Sequence, residues 1–324
     1  MTAAGREVAE ARPFASSADH ADQPAVLEEL ADGVYAFTAQ GDPNVGAVVG
    51  SEGVLCIDAR ATPTHAQEWL TALRQITDLP VRYLLLTHYH AVRVLGAAAF
   101  GAQAILAHAG TARWIAERGE DDFASEARRF PRLFRDIASV PGLTRPTLSF
   151  ADEVRVSLGD RDVVLGWIGR GHTEGDAVAW LPEQGVLFAG DLVEANATPY
   201  CGDAHLADWR SSTLDRVAAF RAQTLVPGRG PTVSGAEVPA AIAETRAYLD
   251  GLCLSVARSV ARGGDLKAAF DAAHADLSPR FGATAIFEHC MPFNVARAYD
   301  ELQGLAPRVW TAARDRDLWT ALQT

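Results

Sequence analysis

Hydrophobic and polar positions fall in blocks along this chain, and the period of the blocks changes from region to region. Residues 34–37, 46–49 and 54–57 are short β-prone runs separated by Gly41-Asp42-Pro43-Asn44 and Gly50-Ser51-Glu52-Gly53, turn chemistry that predicts a β-meander. Over 63–77 the period lengthens: Ala66, Trp69, Leu70, Leu73 and Ile76 fall at i, i+3, i+4, i+7 and i+10, the spacing of one helical face. Pro80 closes that helix, and 81–87 is an apolar run of the kind that forms a strand buried on both faces. The run stops at Thr87-His88-Tyr89-His90.

The second half repeats the arrangement, with strands predicted over 153–158, 162–168, 177–181 and 186–189 and a Pro182-Glu183-Gln184-Gly185 turn between the last two. Polar residues again gather where strands stop: Gly171-His172-Thr173-Glu174-Gly175-Asp176, Gly190-Asp191, and Pro227-Gly228-Arg229-Gly230. From residue 236 the pattern is helical only, over 238–262, 265–277, 294–303 and 307–322. The expected organisation is a flexible leader over 1–25, without apolar periodicity, a domain over 26–235 and a helical C-terminal extension over 236–324 packed on it.

Composition narrows the function classes. The 324 residues are 48% hydrophobic and 22% charged, values of a globular chain and not of a disordered or fibrous one. Against 29 basic residues stand 41 acidic ones, a net charge of -12, so no overall field attracts nucleic acid or an anionic membrane. The apolar runs are far shorter than the ~18 residues that span a bilayer. Neither nucleic acid nor membrane is expected as a partner, and a homo-oligomer is left open. Arg6, Glu7 and Glu10 stand where a secretory signal needs an apolar stretch, so a cytoplasmic location is expected. The cysteines, Cys56, Cys201, Cys253 and Cys290, form no CxxC pair and predict no disulfide framework.

The chemistry lies in the loops at strand ends. His88 and His90, at i and i+2 past a buried strand, can turn both imidazoles toward one point, and His172 can supply the third nitrogen of a tetrahedral site with one position open to water. Taken alone, such a pair more often marks hydrogen-bonded structural histidines. The ordered series His-x-His, Gly-His-Thr-x-Gly-Asp, Gly-Asp and Pro-Gly-x-Gly, with Ile57-Asp58 after an early strand, resembles the metallo-β-lactamase superfamily, which includes glyoxalase II, lactonases and many other hydrolases. That resemblance implies an α/β (α+β) fold, a four-layer αββα sandwich with the metal site at one edge of two facing sheets. It further implies His88, His90 and His172 as metal ligands, and Asp191 as a ligand that bridges metals and acts on bound water. Asp58 would stand behind the site and orient a ligand. The cofactor it implies is one divalent metal, zinc first, with iron or manganese as alternatives.

Departures from the family pattern carry as much information. Where the family reads His-x-His-x-Asp-His, this chain has His88-Tyr89-His90-Ala91-Val92-Arg93, and Pro-Gly-His-Gly becomes Pro227-Gly228-Arg229-Gly230. Valine cannot coordinate, and arginine has no lone pair to offer. A second metal site is therefore expected to be absent, with Arg93 and Arg229 as catalytic residues that restrain Asp191 and dock an anionic group of a small-molecule substrate. The expected function is a metal-dependent hydrolase with a mononuclear site of three histidines plus an aspartate, acting on an ester, lactone, thioester or amide. The alternatives are a mononuclear iron oxidoreductase of the same fold and a catalytically inactive binding or regulatory scaffold. Tyr89 and His289, the latter in Phe287-Glu288-His289-Cys290-Met291-Pro292-Phe293, are candidate pocket residues, and Asp176 reads as a loop-capping carboxylate. His20, His65, His108, His205 and His274 have no partner at ligand spacing.

Overall fold

The β-prone runs of the first half become one sheet. The computed structural model describes residues 14–17, 19–21 and 23–323. Strands β1 (Val26–Ala31), β2 (Val34–Thr38), β3 (Val45–Gly50), β4 (Gly53–Ile57), β5 (Val81–Leu86), β6 (Ala104–His108) and β7 (Leu148–Phe150) lie side by side in chain order. The first four are antiparallel, and β4 to β7 are parallel, each joined by a crossover. The second sheet holds β8 (Glu153–Ser157), β9 (Asp162–Trp167), β10 (Ala177–Leu181), β11 (Val186–Gly190), β12 (Thr224–Pro227) and β13 (Val233–Ser234), again in chain order across the sheet.

The two sheets pack face to face through Val48, Leu55, Leu85, Leu165, Phe188 and Val226. Their approach is close enough that a Cβ on Gly46 would meet the Phe188 ring at 2.2 Å, so only glycine fits there. Helices α1 (Pro63–Leu73), α2 (Ala91–Val94) and α3 (Ala109–Arg129) cover the outer face of the first sheet through Trp69, Leu73, Val94 and Ile115. The outer face of the second sheet is covered by α4 (Leu206–Asp208), α5 (Leu214–Ala219), α6 (Glu237–Ala261), α7 (Leu266–Phe281) and α8 (Phe287–Leu302). Helix α9 (Ala312–Gln323) joins a smaller cluster built on Phe293, Trp310, Leu318 and Leu322. The result is an αββα sandwich with a helical C-terminal extension.

Several boundaries differ from the sequence expectation, each for a local reason. The helix over 63–77 stops at Leu73, because Arg74 turns its guanidinium onto the carbonyls of Thr77 and Leu79 and holds the chain in a turn. The helix expected over 294–303 begins seven residues earlier, at Phe287, and carries Pro292 inside it, while α7 runs past Pro279 to Phe281. Strand β6 and helix α3 are additions to the sequence reading. Part of the leader lies outside the described residues, 1–13 and positions 18 and 22, but Phe14 is not loose: it is buried and stacks on Trp319 at 4.6 Å and Phe293 at 5.4 Å.

Candidate metal centre

Five strands deliver polar side chains just past their last residues: Asp58 after β4, His88 and His90 after β5, His172 after β9, Asp191 after β11 and Arg229 after β12. Strands β4 and β11 are buried throughout, so polar chemistry can begin only where they stop. Asp58 takes a left-handed conformation, φ 60°, a strained choice for a residue with a Cβ. The turn aims its carboxylate at Thr87, whose backbone N–H donates at 2.8 Å and whose hydroxyl donates at 2.8 Å.

His88, His90 and His172 are buried, and each brings one ring nitrogen to within 4.8 Å of the others. His172 Nε2 and His90 Nδ1 are 2.9 Å apart, and His88 Nε2 is buried with no hydrogen-bond partner among the described residues. The outer nitrogens are all held. His172 Nδ1 lies 2.8 Å from the Tyr200 carbonyl, His90 Nε2 lies 3.1 Å from Asp203 Oδ1, and His88 Nδ1 lies 3.1 Å from the Thr87 hydroxyl, which leads on to Asp58. Outer nitrogens fixed and inner nitrogens convergent is the arrangement of metal-binding imidazoles, and the orphaned His88 Nε2 is a lone pair that a divalent ion of zinc type fits.

Burial pushes all three histidines toward the neutral form, and at one of them a neighbouring carboxylate overrides it. It keeps His88 neutral, well below the ordinary histidine range, and lowers His172 to about 4. Burial also opposes a charge on His90, but the Asp203 carboxylate beside it outweighs burial and raises it to about 10. A cation bound at His90 Nδ1 would displace that proton. Asp203 also accepts a hydrogen bond from the Tyr89 hydroxyl, and two carboxylates of α3 hold the turn that follows: Asp122 accepts from the Ala91 amide at 2.7 Å and Glu126 from the Val92 amide at 3.1 Å. Sequence reasoning missed all three. Asp203 had only a Gly-Asp dipeptide to mark it, and such dipeptides recur along this chain.

On the other side of Asp191 the site is built of guanidiniums. Arg93 donates through Nη2 to Asp191 Oδ1 and to the Gly228 carbonyl at 2.6 Å, and through Nη1 to the Asn44 carbonyl and, at 3.3 Å, to Asp58 Oδ2. Arg229 donates through Nη1 to Asp191 Oδ2 at 2.8 Å and lies 3.5 Å from Glu194 Oε1. Burial alone would raise the Asp191 carboxyl, but Arg93 and Arg229 hold it well below the usual carboxylate range. Asp191 Oδ2 lies 3.6 Å from His172 Nε2 and 3.8 Å from His88 Nε2, so it faces the histidine cluster as well. A Cβ at Gly228 would lie 2.3 Å from Asp191 Oδ1; the backbone must pass that close for its carbonyl to meet Arg93.

Of the residues expected from sequence, the structure brings His88, His90, His172, Asp191, Asp58, Arg93 and Arg229 together. Two assignments change. Tyr89 is not a pocket residue: its ring is buried and its hydroxyl is committed to Asp203. Arg93 does not reach a substrate either, since it is 1% exposed and both of its terminal nitrogens are engaged; it positions Asp191. His289 and Arg229 line the pocket at the cluster, beside His90, His172 and Asp191. Asp176 caps its loop by accepting from the Thr173 amide and hydroxyl at 2.8 and 2.7 Å.

This fold and this centre are those of one superfamily of metal-dependent enzymes. The sequence model of the metallo-beta-lactamase superfamily matches residues 39–229, and the chain belongs to that superfamily. A type 2 metallo-beta-lactamase of Bacteroides fragilis is 24% identical over 217 residues, 63% of this chain and 78% of the relative. Another, from Bacillus sp. (strain 170), is 26% identical over 199 residues, 60% and 69% of the two chains. Among solved structures, a metallo-beta-lactamase from Pontibacter korlensis matches with a TM-score of 0.57 at 22% identity, over 70% of this chain and 99% of that one. The metallo-beta-lactamase FIM-1 from Pseudomonas aeruginosa, in its mono-zinc form, gives a TM-score of 0.54 at 22% identity, over 69% and 96%. Membership and the histidine cluster together make the chain a metal-dependent hydrolase at the level of the superfamily. Among the described residues, no helix is long and apolar enough to cross a membrane.

Proposed function

We propose that this protein is a mononuclear metallo-hydrolase that cleaves a small ester, lactone, thioester or amide, with zinc as the metal of first choice. His88 Nε2, His90 Nδ1 and His172 Nε2 would hold the ion. When bound, such an ion lowers the pKa of a coordinated water toward ~7 and polarises a scissile carbonyl.

The observation that carries the mononuclear reading is the double guanidinium grip on Asp191. In a dinuclear site this carboxylate would bridge to a second ion, but here Arg93 takes Oδ1 and Arg229 takes Oδ2. Val92, buried in the apolar layer, offers no donor in their place. Asp191 still presents Oδ2 to the space bounded by His88 and His172. Held ionised by two cations, it is a weak base and a strong hydrogen-bond acceptor, so its role is to accept a proton of an attacking water in a hydrogen bond and orient the lone pair. Arg93, tied to Asp58, Asn44 and Gly228, fixes the carboxylate in that attitude.

Elemental analysis of protein reconstituted with zinc, combined with a screen of aryl esters, lactones, thioesters and amides, tests the proposal. It requires one ion per chain and turnover of at least one of these classes that is lost on chelation. Two tightly held ions per chain would overturn the mononuclear reading, and stoichiometric metal without turnover of any class would overturn the hydrolytic one.

A further inference from the structure

The wall of the metal pocket includes residues that lie beyond the superfamily match. That match ends at residue 229, and the Pontibacter korlensis structure is covered almost whole by 70% of this chain. Helices α6 to α9 follow residue 229, and from α8 and the residue before it come Ile286 and His289, which line the same pocket as His90, His172, Asp191 and Arg229.

His289 is 8% exposed, and its Nδ1 is buried without a hydrogen-bond partner among the described residues. Its neighbours are rings: Phe130 at 5.0 Å, Phe293 at 6.1 Å and Phe14 at 6.5 Å between centroids. If the side chain only filled space, phenylalanine or leucine would do so without leaving a polar atom unmet, a state that native interiors avoid. A proton on Nδ1 would be stranded among those rings, so the N–H belongs on Nε2, the nitrogen left for the pocket. The surroundings also select the kind of partner. Burial, with the Arg129 and Arg229 guanidiniums, keeps His289 neutral, well below the ordinary histidine range. Both Nη atoms of Arg129, whose guanidinium lies over the Phe293 ring, are themselves buried without hydrogen-bond partners among the described residues. A neutral N–H donor in the field of two guanidiniums attracts an electron-rich oxygen and disfavours a second donor.

We infer that His289 is a substrate-binding residue contributed by the C-terminal extension, donating a hydrogen bond to an oxygen acceptor, carbonyl or carboxylate, of a small substrate seated at the histidine cluster. This rests on the metal-site reading above and assigns that site a specificity element outside the superfamily match.

Thiols anchored on the metal test it, because thiolates are ligands for zinc. The probes are 1-propanethiol, mercaptoacetamide and mercaptoacetate, titrated into zinc-loaded full-length protein. Both oxygen-bearing thiols should bind more tightly than propanethiol. His289→Phe, which keeps an aromatic ring and loses the donor, should cost them about fivefold, the worth of one hydrogen bond, with propanethiol binding unchanged. A greater loss for mercaptoacetate identifies a carboxylate, and equal losses identify a carbonyl. In the unaltered protein the His289 15N resonances should move with the two acceptors and stay still with propanethiol, a readout that stands even where His289→Phe fails to fold. If propanethiol binds but neither the substitution nor the resonances discriminate, the inference falls while the metal site stands. If no thiol binds zinc-loaded protein, the metal-site reading fails and takes the inference with it.

Discussion

His88, His90 and His172 stand on one side of Asp191 and Arg93 and Arg229 on the other, all of them buried, the histidines, Asp191 and Arg229 in loops past strand ends and Arg93 in α2. The histidine side offers nitrogen lone pairs that converge and are left unmet at His88 Nε2. The arginine side offers only N–H donors, and Nη1 and Nη2 of Arg93 and Nη1 of Arg229 are turned onto acceptors the protein itself supplies. Charge and coordination are thus separable. Two fixed unit cations can stand where one divalent ion would, and Asp191 stays ionised in a buried place, but no guanidinium on that side has a lone pair to coordinate a metal ion. In the proposed mononuclear site, the metal ion belongs on the histidine side.

The comparison breaks most directly at the ligands. His88→Ala or His172→Ala should abolish stoichiometric metal binding, since each removes one of three protein nitrogens, and elemental analysis of the purified variants reads the result. Full occupancy in His172→Ala would remove that residue from the ligand set. On the arginine side the same truncation should act on folding. Arg93→Ala leaves Asp58 and Asp191 facing each other in the interior, and removal of one partner from a buried charge cluster costs about 3–5 kcal/mol. Denaturant unfolding measures that loss; a loss below about 1 kcal/mol would mean that the grip on Asp191 contributes nothing to the fold.

A weaker effect is expected one step out from the histidines. Asp203 holds His90 by its outer nitrogen and is itself held by Tyr89. Asp203→Asn keeps the shape and removes the charge, and outer partners of this kind are worth about 10–100-fold in metal affinity. Competition with a chelator of known affinity gives the number. Tyr89→Phe should move affinity in the same direction by less, and an unchanged affinity in both variants would leave His90 oriented by packing alone.

These residues also mark how far the sequence could be read. The histidines were legible because they follow apolar runs, and Asp58, Asp191 and both arginines because they fall at positions of the motif series that resembles the superfamily. Helix α3 was not. Its buried face is Gly110, Thr111, Gly119, Asp122, Ser125 and Arg129 along with Ile115, so it carries no continuous apolar stripe, and its carboxylates reach the centre only through tertiary packing. Asp203 was hidden for a related reason: it lies in an irregular loop, where spacing says nothing about direction. The start of α8 was obscured by Pro292, which in sequence reads as a break. His289 sits in that same turn, which is why its place in the pocket became definite only in three dimensions.

The smallest effect belongs to a histidine outside both halves. His108 ends β6 and caps α3, accepting from the Gly110 amide through Nδ1 at 3.1 Å, and its ring lies flat on Trp167 with centroids 5.1 Å apart. Loss of such a cap costs about 1 kcal/mol, and loss of the stacked pair about 0.5–1.5 kcal/mol more. His108→Ala should therefore lower unfolding free energy by about 1–2 kcal/mol and leave metal content unchanged, while His108→Asn, which restores an acceptor at the cap, should recover part of the loss. Because α3 also supplies Asp122 and Glu126 to the turn after His90, the variant separates two properties of the helix. A fall in metal content with His108→Ala would mean that the start of α3 and the histidine cluster form one cooperative unit. An unchanged content would confine that coupling to the later turns of the helix, where the carboxylates are.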